Sequence, residues 1–349
     1  METALVGDLG GTGAAEFDGL DRSAGAAGSY HRLRQRQADR RWAVRYLRAT
    51  EGGRLTAAIP VYEYRGKAWP SPHYDAATWP LPGGRRPELV PAACLLVGGC
   101  ADARSSLHVR CRPGPGTLRR LVAELAAAAA ARDRCLVFPY FDGRARAALT
   151  EATADRVAWV PLLREAQLRG IADPGWERSL GAKPYATLRR DRELIAGAGL
   201  TGSVHRWAEV ADEAGELIAA HNNRKGEPDH PEFARLRYAE WDQCEGVELL
   251  VLRTAGAGLT GLLAALVWRD ELQLVEMGLT GVDSPDRLAA YLDLVFHRPL
   301  ALARGRGLPT IRLGSAAEVP KRSRGAVFEE LYGGVLDRDR TREVADGCR

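Results

Sequence analysis

Apolar and polar residues alternate along RWAVRYLRAT, from Arg41. Trp42, Val44 and Tyr46 fall on one face, Ala43, Arg45 and Leu47 on the other. A period of two predicts a strand rather than a helix. The turn Glu51-Gly52-Gly53-Arg54 and the run LTAAIPVYEY complete a β-hairpin. Further strands are expected in ACLLVGG, SSLHVRC, CLVFPYFDG and RVAWVPLL, with an alanine-based helix, LRRLVAELAAAAAARDR, between the second and third. The grammar then repeats. Two helical patterns, Tyr185 to Ala198 and RWAEVADEAGELIAAHNNR, lead through GEPDHPEF and a short helix to three strands, GVELLVLRTA, LTGLLAALVWRD and ELQLVEMGLT. A helix from Pro285 to Arg306 puts Leu292, Val295, Phe296, Leu300 and Leu302 on roughly one face. The strand PTIRLG and a polar loop, Ser315 to Gly325, follow.

Each half therefore reads as α+β, a mixed and largely antiparallel sheet flanked by helices. The order of elements, rather than residue identity, points to a duplication. Two tandem domains are expected, residues 1–172 and 173–349, divided near the turn at Asp173-Pro174-Gly175. The Gly- and Ala-rich start, about 28 residues, is expected to be loose.

Composition bounds this picture. A chain of 349 residues suits two ordinary domains. Its 46% hydrophobic and 27% charged residues are those of a soluble globular protein. No apolar run reaches the roughly 18 residues of a membrane span. The start METALVGDLGG has no basic region ahead of an apolar core, so a cytoplasmic location is expected. The six cysteines are scattered, without Cys-x-x-Cys or histidine pairs at zinc spacing, so neither a metal centre nor a disulfide framework is expected. A net charge of +4, mostly from arginine, permits an anionic partner such as RNA. GC-rich coding gives the same arginine bias, so charge alone does not decide.

Several stretches carry candidate chemistry beside a plain reading. The irregular segment AWPSPHYDAATWPLPGGRRP groups His73, Tyr74 and Asp75 near Trp69 and Trp79. A long loop of this kind is either a binding loop or a proline-braced surface. Gly114 and Gly116 lie between a strand and a helix, where free backbone N–H groups can meet an anion; a plain strand-to-helix turn is the favoured reading. Lys321, Arg322 and Arg324 follow the last expected strand, and their plain reading is a solvated basic loop. Glu276 stands alone among apolar strand residues. His221 and Asn223 end a helix, and Arg189 and Arg190 sit on a cationic one.

Three motifs in order carry a resemblance. They are GRLTAAIPVYEYRG, LGAKPYATLRRDRELIAGAGL, and the series Arg306-Gly307-Leu308, Arg312-Leu313-Gly314, Lys321, Arg324-Gly325. Together they resemble the Fem-type (FemABX) aminoacyl transferases and the BioF2-like group of the GNAT acyltransferase superfamily. The Gly-x-Gly at Gly114 and Gly116 separately resembles the pyrophosphate loop of acetyl-CoA-dependent N-acetyltransferases, with Cys111 where that motif opens on Gln or Arg. Two departures stand out. Val319-Pro320 precedes Lys321 in place of the family's aromatic pattern, and no coiled-coil arm separates the halves.

The resemblance implies two tandem GNAT-like domains and an enzyme that forms an amide bond. An aminoacyl group would pass from aminoacyl-tRNA to an amine on a peptidoglycan precursor or peptide natural product. No metal or resident cofactor would be needed, and a monomer would suffice. The alternatives are an acetyl-CoA-dependent N-acyltransferase and a non-catalytic double domain that binds RNA or a carrier. In the catalytic readings Lys321 and Arg324 neutralise a donor phosphate or the oxyanion, and Glu276 is the base. Arg312, Arg189, Arg190, Gly114 and Gly116 take the donor. His73, Tyr74, Asp75, His221 and Asn223 form the acceptor side.

Overall fold

The computed structural model describes residues 1–21, 23–102, 104–110, 115–256, 258–281 and 283–347. Its strands are β1 (Glu2–Val6), β2 (Trp42–Glu51), β3 (Arg54–Tyr64), β4 (Cys94–Val97), β5 (Cys135–Asp142) and β6 (Ala158–Arg169), then β7 (Thr201–Arg206), β8 (Glu248–Gly256), β9 (Leu259–Trp268), β10 (Glu271–Leu279), β11 (Thr310–Gly314) and β12 (Val327–Leu336). The chain forms two compact units, one of residues 1–164 with the chain end from Glu330, the other of residues 165–329.

The same topology appears in both. In the first unit the order is β1-β2-β3-β4-β5-β12, antiparallel except that β4 and β5 run parallel over Cys94↔Cys135, Leu95↔Leu136 and Leu96↔Val137. In the second it is β7-β8-β9-β10-β11-β6, antiparallel except that β10 and β11 run parallel over Glu271↔Thr310, Leu272↔Ile311 and Gln273↔Arg312. A helix joins each parallel pair, as a parallel crossover requires: Pro115–Ala130 in the first unit, and in the second a run from Arg287 to Gly305. The duplication expected from element order is present as topology.

The sequence divided the chain between 172 and 173. In the structure the second unit begins at Glu165, inside β6, and the chain end rejoins the first unit. Strand register explains this. Residues 166–169 of β6 pair with β11, and residues 331–336 of β12 pair with β5. A closing strand taken from a distant part of the chain leaves no local signal.

Other local differences have local causes. The N-terminal segment is not loose: β1 pairs with β2, and Leu9, Phe17 and Leu20 are fully buried in the core. The described part of SSLHVRC, residues 105–110, is not a strand. Within it His108 has φ 46°, which breaks the extended run, and one bridge, Ala57↔Val109, ties it to β3. The short polar strand β7, TGSVHR, is an edge strand beside β8, and its lack of an apolar face hid it in the sequence.

In the second unit the helix Trp207–Arg224 packs on β10 at Gly278, where a Cβ would lie 2.4 Å from the Leu217 carbonyl carbon. Gly278→Ala must push that helix outward. A loss of about 1–3 kcal/mol is expected, read as a lowered midpoint in urea unfolding. An unchanged midpoint would show that this contact does not constrain the packing.

Candidate active site

The parallel pair in the second unit lasts three residues and then opens. Beyond Gln273 and Arg312, β10 continues beside β9 and β11 beside β6. A β-bulge between Leu274 and Met277 re-aims Val275 and Glu276 at this point. The opening is a cleft of about 860 Å³. Residues Leu274–Met277 form one wall, and Leu313–Ala317 with Lys321 form another. The end of the Trp207–Arg224 helix supplies His221, Asn222 and Lys225, and the start of the next crossover helix supplies Arg287, Leu288 and Tyr291.

Three candidate residues meet here: His221, Glu276 and Lys321. Lys321 is not on a solvated loop. It lies on a short helix, Glu318–Arg322, and is only 4% exposed. Its Nζ donates to the carbonyls of Leu313 (2.7 Å) and Gly314 (3.0 Å) at the end of β11. Burial pushes its pKa down to about 8, against the opposing pull of Glu165 and Glu318. The side chain is therefore mostly a cation at neutral pH, with one donor left to offer.

His221 is 8% exposed, and neither ring nitrogen has a hydrogen-bond partner among the described residues. Burial, then the charges of Lys225, Arg224 and Arg287, lower its pKa to about 4. At neutral pH it is an uncharged imidazole with an unused donor and acceptor beside a cleft. Buried polar groups without partners are costly in a folded chain, and a functional site is where one is retained. Glu276 accepts from Arg237 at 2.8 Å, and the same guanidinium nitrogen holds Asp229 at 2.9 Å. A hydrogen-bonded guanidinium thus sets the direction of that carboxylate.

Other candidates lie outside the cleft. Arg324 forms a two-pronged pair with Asp191, at 2.6 and 2.8 Å, and lies over the Phe296 ring. Burial alone would raise the Asp191 carboxyl; the hydrogen bonds from His297 and Arg324 outweigh it and hold the group below the usual carboxylate range. Arg312 is buried between Glu165 (2.9 Å) and Glu271 (2.8 Å). Neither arginine lines the cleft. Asn223 also stays outside it, exchanging hydrogen bonds with the backbone of Asp229. Arg189 and Arg190 are exposed on the Ala182–Gly197 helix, Arg189 beside Glu193 at 3.7 Å.

In the first unit, Tyr74 is buried and donates to the Asp102 carbonyl at 2.5 Å. Asp75 caps a short turn by accepting from the Ala77 N–H at 3.1 Å. His73 exposes its ring, while its carbonyl accepts from the Tyr140 hydroxyl at 2.6 Å. The three neighbours in sequence thus face different surroundings. Gly116 is exposed in the first turn of its helix, and Gly114 lies outside the described residues.

No protein-family model matches this chain, and no curated protein matches its sequence. Solved structures do match its fold. FemX aligns over 99% of both chains with a TM-score of 0.63 and 10% identity. A tandem GNAT protein from the clavulanic acid biosynthesis pathway aligns over 95% of this chain and 98% of its own, with a TM-score of 0.51 and 13% identity. L-PGS from Bacillus licheniformis aligns over 87% and 90%, with a TM-score of 0.50 and 11% identity. The fold is thus the expected α+β tandem GNAT fold.

The Asp191–Arg324 pair gives a stability test. Asp191→Ala leaves a buried guanidinium that keeps, among the described residues, the Pro320 carbonyl and the Ser323 hydroxyl as oxygen partners. A loss of about 3–5 kcal/mol is expected in denaturant unfolding. A loss under about 1 kcal/mol would mean that Arg324 does not depend on this pair.

Proposed function

We propose that the second-unit cleft catalyses acyl transfer to an amine, with an aminoacyl-tRNA ester as donor. The observation that carries this reading is the meeting of an unpartnered neutral imidazole, a fixed carboxylate and a buried ammonium in one cleft where two parallel strands part. The tandem GNAT fold and the resemblance of the sequence motifs to Fem-type enzymes support it.

The chemistry assigns each group a task. The amine attacks the ester carbonyl, so a C–N bond forms as the carbonyl π pair moves to oxygen. Lys321 donates to that oxyanion, where a fixed cation is worth far more than in water. His221 accepts the proton from the nitrogen of the tetrahedral adduct. The adduct then collapses, the C–O bond breaks, and the ribose oxygen leaves with the proton that His221 returns to it. Glu276, fixed by Arg237, faces the ammonium of a substrate. Positioning supplies much of the remaining acceleration. Exposed arginines such as Arg189 and Arg190 offer contacts to tRNA phosphates.

An acyl-CoA thioester is the second reading. A bulge beside a parted parallel pair leaves strand backbone unpaired, and that backbone can bond an amide-bearing arm as readily as a nucleotide.

Incubation with charged tRNA or with acetyl-CoA, in the presence of free amines, separates the two. RNase-sensitive transfer is expected; transfer from acetyl-CoA alone overturns the tRNA donor. His221→Ala should lower kcat roughly 100- to 10,000-fold and Lys321→Met about 100- to 1,000-fold. Full turnover in both variants places the chemistry elsewhere. The pH dependence has a defined sign. Activity should rise as His221 loses its proton near pH 4 and fall as Lys321 loses its own near pH 8. A profile that still climbs through pH 9 contradicts Lys321 as the required cation.

A further inference from the structure

We infer that this cleft selects a donor whose acyl group carries a bulky apolar side chain, an inference that rests on the acyl-transfer reading. Much of the cleft wall is hydrocarbon. Leu263, Leu274, Met277, Leu279, Val295 and Leu313 all line the cleft, and all but Met277 are less than 10% exposed. They come from three strands and the crossover helix, so the apolar surface curves around the space and is not a flat patch. Its volume, about 860 Å³, is that of a pocket for a whole organic ligand, far beyond what an acetyl or glycyl group fills.

Two backbone irregularities shape this surface. One is the β-bulge at Leu274–Met277. The other is a π-helical turn, Asp293–His297, in the crossover helix, from which Val295 lines the cleft. A π turn inserts a residue into the helix and re-aims side chains, at some cost in hydrogen-bond geometry, and such turns gather at functional sites. That both face one space is the second observation pointing to a ligand there.

The charges argue against a cationic or very small acyl group. The two carboxylates along the cleft are Glu276, held by Arg237, and Glu227, which is exposed. Neither is a buried, unpaired partner for a lysyl or arginyl side chain. A glycyl group would leave the apolar walls wet, forgoing the burial that drives binding to such a surface.

The experiment is calorimetric binding of amide-linked aminoacyl adenosines, which cannot react, to the full chain. Leucyl and phenylalanyl forms should bind about tenfold or more tighter than glycyl and lysyl forms, the order expected when several methylene-sized groups leave water. Val295→Phe, which fills the space, should remove that advantage by weakening the leucyl and phenylalanyl forms toward the glycyl one. Should that variant not fold, Met277→Ala provides the test, weakening the leucyl and phenylalanyl forms relative to the glycyl one. Glycyl or lysyl forms binding as tightly as leucyl overturn the inference. A parallel series of S-acyl pantetheines separates it from the donor reading. Binding there alone, with isovaleryl tighter than acetyl, upholds the apolar selectivity and overturns the tRNA ester. Binding in neither series overturns both.

Discussion

The second unit depends on where β10 and β11 stop being partners. Arg312 sits at that point, buried, with Glu165 of β6 on one side and Glu271 of β10 on the other. The guanidinium ties three strands together at the last matched pair, Gln273↔Arg312. Taking three charges out of water is expensive, and such a cluster stabilises only when every hydrogen bond is made. Its value here is geometric. The strands are pinned on one side of this pair and part on the other, and the parting creates the cleft. The bulge in β10, the carbonyls at the end of β11 and the π turn in the crossover helix all act around that opening.

The cations then divide by role. Arg312 and Arg324 face carboxylates and hold elements together. Lys321 faces two carbonyl oxygens, which orient it without neutralising its charge, and it borders open space. A lysine suits that place because its ammonium is a compact point charge with three donors. His221 complements it as a neutral acceptor across the same volume. The cleft thus sets a cationic donor and an uncharged imidazole around one open volume.

Much of the fold was legible because its strands alternate and its helices are periodic. The hairpin of β2 and β3, the strands β8 to β10 and the order of both halves follow from pattern alone. The exchange of closing strands was not legible, since pairing of residues 331–336 with β5 is long-range and either partner accepts an apolar strand. Of the residues that line the cleft, Lys321, Glu276 and His221 were singled out in the sequence, but nothing there brought them together. Arg324 and Lys321 lie three residues apart and look alike in sequence; one meets Asp191, more than a hundred positions away, and the other does not. The value of His221 lies in bonds it does not make, which no sequence pattern records. Tyr74 and Asp75 showed the converse. A cluster of functional-looking residues in an irregular loop is bonded to that loop's own backbone and its neighbours.

The central claim is that the donor's reacting carbonyl lies where β10 and β11 separate. The most direct measurement is a crystal structure of the full chain with an amide-linked leucyl adenosine. The expected result is the acyl side chain against Leu263 and Val295, with the amide oxygen within hydrogen-bond distance of Lys321 Nζ. An analogue seated instead in the first unit, against His73 or Gly116, with the second-unit cleft empty, would contradict the account.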